Sequence, residues 1–371
     1  MPLRHTRPLT VDRVASSAAL CRLGHDVHVS NYVVAQEGYC VAVRALDRKE
    51  VYNQLEDSDG AFHTINQGDV LIGALGERQA LKGYSGRIPR AVATGDVLNI
   101  LNMGGIVGKC TSDHPELGPA LRVEVLGAVV VERGGEMHHA RIQDNAIEPL
   151  YTLQHSAPLV MVSGTSMNTG KTYACARLIQ GLTREGFTVA AAKLTGASLL
   201  RDTKAMRENG AAHTVSFSEA GIVSSTSKEM EPISKGIIAR LNESKPDCIV
   251  LELGDGFIGY YGVDDLLLDK ELQSFTRAHI VAAVDLVGAW AADQIFRERY
   301  RSGVTAVTGP VTDNAVGKQY IQHALGTPAL NARADADALT QLVAHALRQG
   351  ERPLTVGGQT APLPPIAQFQ S

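Results

Sequence analysis

The sequence predicts an α/β protein in which a smaller β-rich N-terminal domain precedes a mostly parallel sheet with helices on both faces. Before about residue 150, short runs rich in Val, Ile and Leu are separated by Gly, Asp and Asn, which is typical of strands joined by tight turns. After that point, apolar runs alternate with helix-length segments, a pattern that favours a parallel sheet covered on both faces. The change of pattern indicates two domains.

The length of 371 residues also suits two domains of ordinary size. We predict a β-rich domain over residues 1–150, with a role in substrate specificity or oligomerisation, and an α/β domain over residues 158–354. Residues 151–157 are the expected linker. The tail at 355–371 is rich in Gly and Pro and is expected to be extended or mobile.

Individual segments can be assigned within each domain. In the N-terminal domain, residues 11–23, followed by Gly24, predict a helix. The remainder predicts a small barrel or sandwich with strands at 26–34, 39–44, 69–73, 96–101 and 121–131. In the C-terminal domain, strands are predicted at 159–163, 188–194, 248–253, 279–284 and 304–307, and a helix at 173–184.

The composition favours small-molecule chemistry in the cytoplasm. The chain has 35 Lys and Arg against 39 Asp and Glu, so no global attraction to nucleic acid or to an anionic membrane is expected. No apolar stretch approaches the roughly 20 residues that span a bilayer. The five cysteines include no Cys-x-x-Cys pair, so we predict reduced thiols and a cytoplasmic location.

A glycine-rich segment between a predicted strand and a predicted helix is the strongest functional motif. It reads Gly-Thr-Ser-Met-Asn-Thr-Gly-Lys-Thr, and its flanks favour a P-loop over a chance Gly-Lys-Thr in a turn. Glycines let backbone N–H groups surround phosphates, and the helix N-terminus adds about half a positive charge. Lys171 is then expected to reach the β- and γ-phosphates, and Thr172 to bind Mg²⁺. The predicted nucleotide-binding residues are Gly164, Thr165, Ser166, Asn168, Thr169, Gly170, Lys171 and Thr172.

Four charged residues lie at or just past the ends of predicted strands, namely Lys193, Asp202, Glu252 and Asp255. Ligands of an open parallel sheet lie beyond the carboxyl ends of its strands, so these side chains and Thr172 are expected to share one pocket. Thr172, Asp202 and Glu252 make a suitable set of oxygen ligands for Mg²⁺. The alternatives are a solvated strand end for Lys193, a helix cap for Asp202 and a turn former for Asp255.

The loop resembles that of dethiobiotin synthetase, a family that belongs with MinD and the nitrogenase iron protein. Five residues rather than four separate the two glycines. The similarity extends to Ala-Lys-Leu-Thr-Gly around Lys193, to Arg-Asp-Thr around Asp202 and to Glu-Leu-Gly-Asp-Gly from Glu252. This resemblance implies ATP and Mg²⁺ as cofactors, a substrate-side role for Lys193, Mg²⁺ binding by Asp202 and Glu252, and a homodimer.

The chain departs from that family at four positions. Ser166 replaces an early acidic residue of the loop, and Asp255 replaces a small residue. Leu194 stands where the family has proline, and Pro310 falls near the asparagine that helps to select adenine. We therefore expect a different substrate. ATP is preferred over GTP because the sequence contains no Asn-Lys-x-Asp guanine signature.

Two segments of the N-terminal domain combine glycines with polar or charged residues. Residues 76–90 contain three arginines and a lysine, and residues 101–112 form a second glycine-rich segment. Such segments either hold a carboxylate or phosphate through Arg and backbone donors, or are solvated β-turns. If they face the P-loop, they supply substrate specificity; if they do not, they are candidates for an oligomer contact.

These observations predict an enzyme that uses ATP and Mg²⁺ to activate a small anionic substrate by phosphoryl transfer. It would be a ligase or cyclase acting on a carboxylate or carbamate, or a kinase acting on a hydroxyl. The predicted catalytic residues are Lys171, Lys193 and Asp255, with Asp255 as the base of the kinase version. The main alternative is a nucleotide-driven switch or metallochaperone, and a third is a nucleotide-sensing module. We expect a homo-oligomer without nucleic-acid or membrane partners.

Overall fold

The computed structural model describes residues 5–226 and 228–350. These residues contain a sheet built from strands before residue 140 and a second sheet built from strands after residue 158. The predicted tail at 355–371 lies outside the described residues. The α/β class, with an additional β-rich region, is confirmed.

Short strands joined by turns make up the N-terminal region. They are β1 (Thr6–Thr10), β2 (Arg13–Val14), β3 (Asp26–Ser30), β4 (Cys40–Ala45), β5 (Gln54–Glu56), β6 (Phe62–Thr64), β7 (Val70–Leu75), β8 (Ser85–Arg87), β9 (Val97–Ile100), β10 (Ile106–Ser112), β11 (Arg122–Arg133) and β12 (Glu136–His139). The five strands predicted from the sequence correspond to β3, β4, β7, β9 and β11. A 3-10 helix at Ile142–Asn145 follows the last strand.

Five of these strands close into a small barrel. β11 pairs with β4, β4 with β7, β7 with β10, β10 with β9, and β9 again with β11. Val43, Leu71, Val107 and Val125 are almost completely buried in one apolar cluster of this region. Closure removes the exposed edges that an open sheet would present. Of the two predicted architectures, the barrel is therefore the observed one.

The predicted helix at 11–23 is wrong. The segment forms β2 and then a 3-10 helix (Ser16–Cys21), which ends at Arg22 with φ of 50° rather than at the predicted glycine. The Ser17 hydroxyl donates to the carbonyl of Gly105 at 3.0 Å. Serine side chains that bond to distant backbone compete with the local bonding of an α-helix, which accounts for the difference.

The C-terminal region alternates strands and helices. Its strands are β13 (Leu159–Gly164), β14 (Val189–Thr195), β15 (His213–Ser216), β16 (Cys248–Leu253), β17 (Thr276–Ala282) and β18 (Ala306–Thr308). Its α-helices are α1 (Lys171–Arg184), α2 (Arg201–Glu208), α3 (Met230–Asn242), α4 (Val263–Leu268), α5 (Lys270–Phe275), α6 (Leu286–Glu298), α7 (Ala315–Tyr320) and α8 (Ala336–Gln349). Shorter helical turns lie at Phe217–Ala220, Pro310–Thr312 and Ile321–Leu325. The sequence missed β15 because it is short and mostly polar.

Six parallel strands form the second sheet, in the order β15-β14-β16-β13-β17-β18. Successive strand residues point to opposite faces. Met161 therefore packs in a cluster with α3, α4 and α6, whereas Val160 packs in a cluster with α1 and α8. Burial of both faces explains why the strands are almost entirely apolar. Across residues 5–226 and 228–350, no helix combines the length and apolar content needed to cross a membrane.

The connection between the two regions is packed rather than free. Residues 151–157 have no regular secondary structure beyond a bend, but Leu153 is buried in the apolar cluster of the parallel sheet. Its backbone N–H donates to a carboxylate oxygen of Glu271 at 2.9 Å. The predicted linker is thus anchored to the C-terminal region.

The β-rich region also contacts the segment that follows β14. Asn102 donates from Nδ2 to the carbonyl of Ser198 at 2.9 Å. The fully buried carboxylate of Glu56 accepts hydrogen bonds from the N–H groups of Leu200 at 2.7 Å and Arg201 at 2.8 Å. Glu56 therefore caps the start of α2, where the first N–H groups of a helix lack partners within it.

Replacing Gly104 with alanine should disturb this contact between the two regions. A Cβ at Gly104 would lie 2.0 Å from the carbonyl oxygen of Ser198, so the backbone would have to move. We expect Gly104→Ala to lower the free energy of unfolding by about 1–3 kcal/mol, as overpacking usually does, measured by urea denaturation. The matched control is Gly24→Ala, because nothing lies within 4 Å of a Cβ there. Equal stability of the two variants would contradict the tight contact.

Candidate active site

Strand β13 brings the glycine-rich loop to the carboxyl edge of the parallel sheet. The strand ends at Gly164, and α1 begins at Lys171. Asn168 and Gly170 have positive φ angles of 60° and 91°, so the loop turns tightly before the helix. A side chain at Gly164 would lie 2.5 Å from Oγ1 of Thr169, which favours glycine there. Strand, curled loop and helix together have the geometry of a P-loop, in which backbone N–H groups surround a phosphate.

Lys171 directs its ammonium group back across this loop. Nζ donates to the carbonyl of Ser166 at 2.7 Å and lies 3.5 Å from Oγ1 of Thr169. Burial lowers the pKa of Lys171 from 10.5 to about 8, although Glu252 and Asp255 oppose that shift. A phosphate bound here would replace a neutral carbonyl as the partner and would favour the charged form of the lysine.

Thr172 and Glu252 form an oxygen-rich pair beside the loop. The Thr172 hydroxyl donates to Oε1 of Glu252 at 2.8 Å. Glu252 is 2% exposed, and its Oε2 has no hydrogen-bond partner among the described residues. Burial and the nearby charge of Asp202 raise the pKa of Glu252. A hydroxyl and a carboxylate with an unsatisfied buried oxygen fit a hard cation such as Mg²⁺, which takes oxygen ligands.

Lys193 and Asp202 form a buried ion pair with each other. Nζ of Lys193 contacts Oδ2 of Asp202, and Nε of Arg201 lies 3.6 Å from Oδ1. Burial disfavours both charges, but Asp202 raises the pKa of Lys193 and Lys193 lowers the pKa of Asp202, so both groups are ionised. The predicted roles of Lys193 at the substrate and of Asp202 at the metal therefore require this pair to separate.

Asp255 occupies a strained turn after β16. Its φ is 70°, a left-handed conformation that residues other than glycine seldom adopt. The turn packs against the glycine-rich loop, since a Cβ at Gly256 would lie 2.7 Å from the carbonyl of Thr165. Within the described chain, Oδ1 of Asp255 is buried without a hydrogen-bond partner, and burial raises the pKa of this carboxyl. Strain and a perturbed carboxylate at one position are typical of functional sites.

These side chains line one cleft of about 630 Å³ between the two regions of the chain. From the glycine-rich loop and the sheet edge, the lining residues include Asn168, Thr169, Gly170, Lys171, Thr172, Lys193, Asp202, Glu252 and Asp255. The loop residues nearer the strand, Gly164, Thr165 and Ser166, do not line it. The β-rich region contributes Tyr52, Arg78, Lys82, Asn102 and Met103. The structure thus brings all the predicted catalytic and metal-binding residues to one place.

The segment at 76–90 faces this cleft with its first half only. Arg78 and Lys82 line the cleft, and Arg78 is 4% exposed whereas Lys82 is exposed. Arg87 lies in β8, opposite Lys109 of β10, and does not line the cleft. The sequence left open whether this segment faces the P-loop or lies elsewhere. Arg78 and Lys82 face the P-loop, whereas Arg87 does not line the cleft.

A second cavity, of about 540 Å³, adjoins Gly170, and Pro310 is the one residue of its lining that the sequence analysis had connected with the nucleotide base. The Arg333 guanidinium lies over the Tyr173 ring, 5.5 Å from its centroid. Asn331 is 7% exposed and donates from Nδ2 to Oδ1 of Asp313 at 2.9 Å. Flat groups beside amide and carboxylate groups suit a purine base. Tyr173, Asp313, Asn331 and Arg333 were missed because they come from α1, from the segment before α7 and from the turn before α8, which no spacing rule connects.

Comparison with known proteins gives similarity to solved structures only, since no protein-family model and no curated protein matches the sequence. Chloroplast FtsY from Physcomitrella patens is 16% identical, with 55% of this chain and 69% of that chain covered and a TM-score of 0.36. HypB from Helicobacter pylori, in complex with nickel, is 11% identical, with 54% and 92% covered and a TM-score of 0.35. A DUF1611 family protein from Anabaena variabilis is 10% identical, with 54% and 63% covered and a TM-score of 0.36.

With TM-scores of 0.35 and 0.36, these similarities carry no argument about this chain. The fold assignment comes from the chain itself, in which a central parallel strand, β13, leads through the glycine-rich loop into α1. The resemblance of the sequence motifs to dethiobiotin synthetase stays a prediction. The C-terminal region has a P-loop NTPase fold.

Triphosphate binding to this loop should be linked to proton uptake by Lys171 in mildly alkaline solution. Below its lowered pKa of about 8 the lysine is already charged, whereas above it binding must supply the missing proton. We expect affinity for a nucleoside triphosphate to fall as the pH rises from about 7.5 to about 9.5, with uptake of up to one proton. Calorimetry in buffers of different ionisation enthalpy measures both quantities. The control is Lys171→Arg, which stays charged; a constant wild-type affinity would contradict the assignment.

Proposed function

We propose that the protein is an enzyme that transfers the γ-phosphoryl group of ATP, with Mg²⁺, to an oxygen atom of a small anionic substrate. One observation carries the proposal: the second half of the glycine-rich loop, the Thr172–Glu252 pair and Asp255 line the same cleft, and Oδ1 of Asp255 has no hydrogen-bond partner among the described residues. Its volume of about 630 Å³ is in the range of small-molecule sites. Nucleotide phosphates and an acceptor can therefore meet in it.

The charges beside the loop support the nucleotide end of this reaction. Lys171 and the N-terminus of α1 provide positive charge for the phosphates. Thr172 and Glu252 are the residues that would hold Mg²⁺, joined by Asp202 once Lys193 has left it. When bound, Mg²⁺ neutralises charge on the phosphates. The protein's own contribution is then to position groups and neutralise charge, without a covalent intermediate.

We assign the purine base of the nucleotide to the cavity beside Gly170. Asp313 is exposed and offers a carboxylate acceptor that suits the amino group of either purine. Pro310 also lines the cavity, at the position near which the related family has its adenine-selecting asparagine. ATP is proposed because the Asn-Lys-x-Asp guanine signature is missing from the sequence.

Asp255 supports the acceptor end. The acceptor oxygen forms a bond to the γ-phosphorus, the bond to the bridging oxygen breaks, and ADP leaves with that electron pair. A hydroxyl acceptor must also lose a proton, and a carboxylate with a raised pKa is a stronger base than an ordinary Asp. A carboxylate or carbamate acceptor would not need that base. Oδ1 of Asp255, which has no hydrogen-bond partner in the described part of the chain, therefore favours the hydroxyl version, a kinase.

A nucleotide-driven switch is the second candidate function, and one contact favours it. Glu56 of the β-rich region caps the helix that carries Asp202. A change at Asp202 on nucleotide binding or hydrolysis would reach the other region through this helix. In that case hydrolysis would alter an interface, and no small molecule would be phosphorylated.

Incubation with Mg·ATP, or separately Mg·GTP, and sets of hydroxy and carboxy metabolites distinguishes the two candidates. We expect ADP release that depends on one class of acceptor, with a matching new signal in the ³¹P NMR spectrum. Lys171→Ala should lose this turnover because the phosphates lose their buried cation, whereas Lys109→Ala, an exposed lysine of β10, should retain it. If phosphate is released at the same rate whether or not any acceptor is present, the switch is supported instead.

Asp255→Asn should slow phosphoryl transfer to a hydroxyl while leaving nucleotide affinity within a few-fold of the wild type. Loss of a general base typically costs about 10²- to 10⁴-fold in kcat. Wild-type turnover should fall as the pH drops through the raised pKa of Asp255, because only the ionised form accepts a proton. That acid limb should disappear in the variant. Asp59→Asn, at an exposed turn, is the control; unchanged kcat in Asp255→Asn would exclude a role as base.

A further inference from the structure

We propose that Arg78, supplied by the β-rich region, binds the anionic group of the phosphoryl acceptor, a carboxylate or a phosphoryl group. This inference rests on the proposed function, because it places the acceptor in the same cleft as the nucleotide. It assigns a specificity role to a residue outside the P-loop region. The acceptor class that follows is a small molecule with both a phosphorylatable oxygen and a separate negative charge.

Arg78 is a buried cation whose hydrogen-bond partners are neutral. It is 4% exposed, and its Nη1 donates to the carbonyl of Leu101 and lies 3.5 Å from the Tyr52 hydroxyl. Among the described residues, its Nε has no hydrogen-bond partner. The carboxylate of Asp255 acts on this charge from beyond ion-pair distance, and a buried charge without a closer counter-ion is unfavourable. A ligand anion would supply the missing partner.

The backbone around Arg78 holds the guanidinium in this place. The N–H and carbonyl of Arg78 both pair with Gly86, each at 2.9 Å. Gly83 has φ of 138°, and a Cβ there would lie 2.8 Å from Nη2 of Arg78. The loop therefore crosses directly over the guanidinium at a residue without a side chain. A solvated β-turn would not need so close a contact.

The two lysines of the P-loop region that line the cleft already have hydrogen-bond or ion-pair partners. Lys171 donates to the loop backbone, and Lys193 pairs with Asp202. Asp255 is close enough to Arg78 for the arginine to oppose the rise that burial causes in its pKa. An acceptor held by Arg78 would thus have its reacting oxygen near the proposed base, which is the positioning that phosphoryl transfer needs.

The chemistry of the guanidinium limits the ligand. It is planar and permanently charged, and it can donate to two oxygens of a carboxylate or of a phosphoryl group. Lys82 adds a second, exposed cation to the lining of the cleft. A neutral alcohol would leave the charge of Arg78 unpaired. Small hydroxy acids and phosphorylated alcohols both meet the requirement.

The test uses the full chain with Mg²⁺ and a non-hydrolysable ATP analogue, so that the P-loop is occupied. Inorganic phosphate and malonate are the probes, and their affinities come from the concentration dependence of thermal unfolding. We expect wild-type protein to bind at least one of them. Arg78→Gln should weaken binding by about 10- to 100-fold, as loss of a charge-assisted contact does, and Arg78→Lys should fall between. A response to malonate alone indicates a carboxylate, and a response to phosphate alone indicates a phosphoryl group.

Arg87→Gln is the matched control, because Arg87 comes from the same segment but does not line the cleft. Equal affinity in wild type and Arg78→Gln, an equal loss in Arg87→Gln, or no binding by the wild type would overturn the proposal. If Arg78→Gln does not fold, Arg78→Lys still tests the dependence on the guanidinium. A further experiment separates the two proposals: the same titrations are run without nucleotide on Lys171→Ala and on Lys171→Ala combined with Arg78→Gln. If only the first variant binds the probes and the wild type shows no ATP turnover, the proposed function is rejected and the role of Arg78 stands.

Discussion

The buried ion pair between Lys193 and Asp202 governs the arrangement of the cleft. Both charges lie away from water, so each is stable only while the other is close. While they are paired, the carboxylate of Glu252 accepts a hydrogen bond from the Thr172 hydroxyl, and Lys171 donates to the loop backbone. A cation that takes Asp202 must leave Lys193 in need of a new anion. In the proposed function, metal binding and acceptor binding would therefore be coupled through this one contact.

The β-rich region completes the site in two ways. Its Glu56 caps the first turn of α2 and so fixes the helix on which Asp202 lies, while Arg78 provides a buried cation on its own wall of the cleft. Asn102 reinforces the contact through the carbonyl of Ser198. The β-rich region is thus a structural part of the P-loop cleft and not a separate appendage. Substrate recognition by one region and phosphate binding by the other is a division that suits such a cleft.

The sequence predicted the elements whose pattern is local. The apolar runs around Met161 and Val160 identified a strand buried on both faces, and the glycines from Gly164 identified the loop, because period and backbone freedom are written in neighbouring residues. The helix predicted at 11–23 failed where Ser17 bonds to a residue far along the chain. A hydrogen bond between residues far apart in the chain cannot be predicted from the spacing of residue types along the sequence.

The sequence by itself determined the class of fold, the P-loop and the candidate charges at the strand ends. Only the tertiary structure decided that Lys193 pairs with Asp202 and that Arg78 is buried with no ion-pair partner among the described residues. It also decided that Asn331 and Asp313 share a cavity. The physical reason is that periodicity and turn chemistry act between neighbours in the chain. The pairing and desolvation of charges instead depend on which distant segments the folded chain brings together.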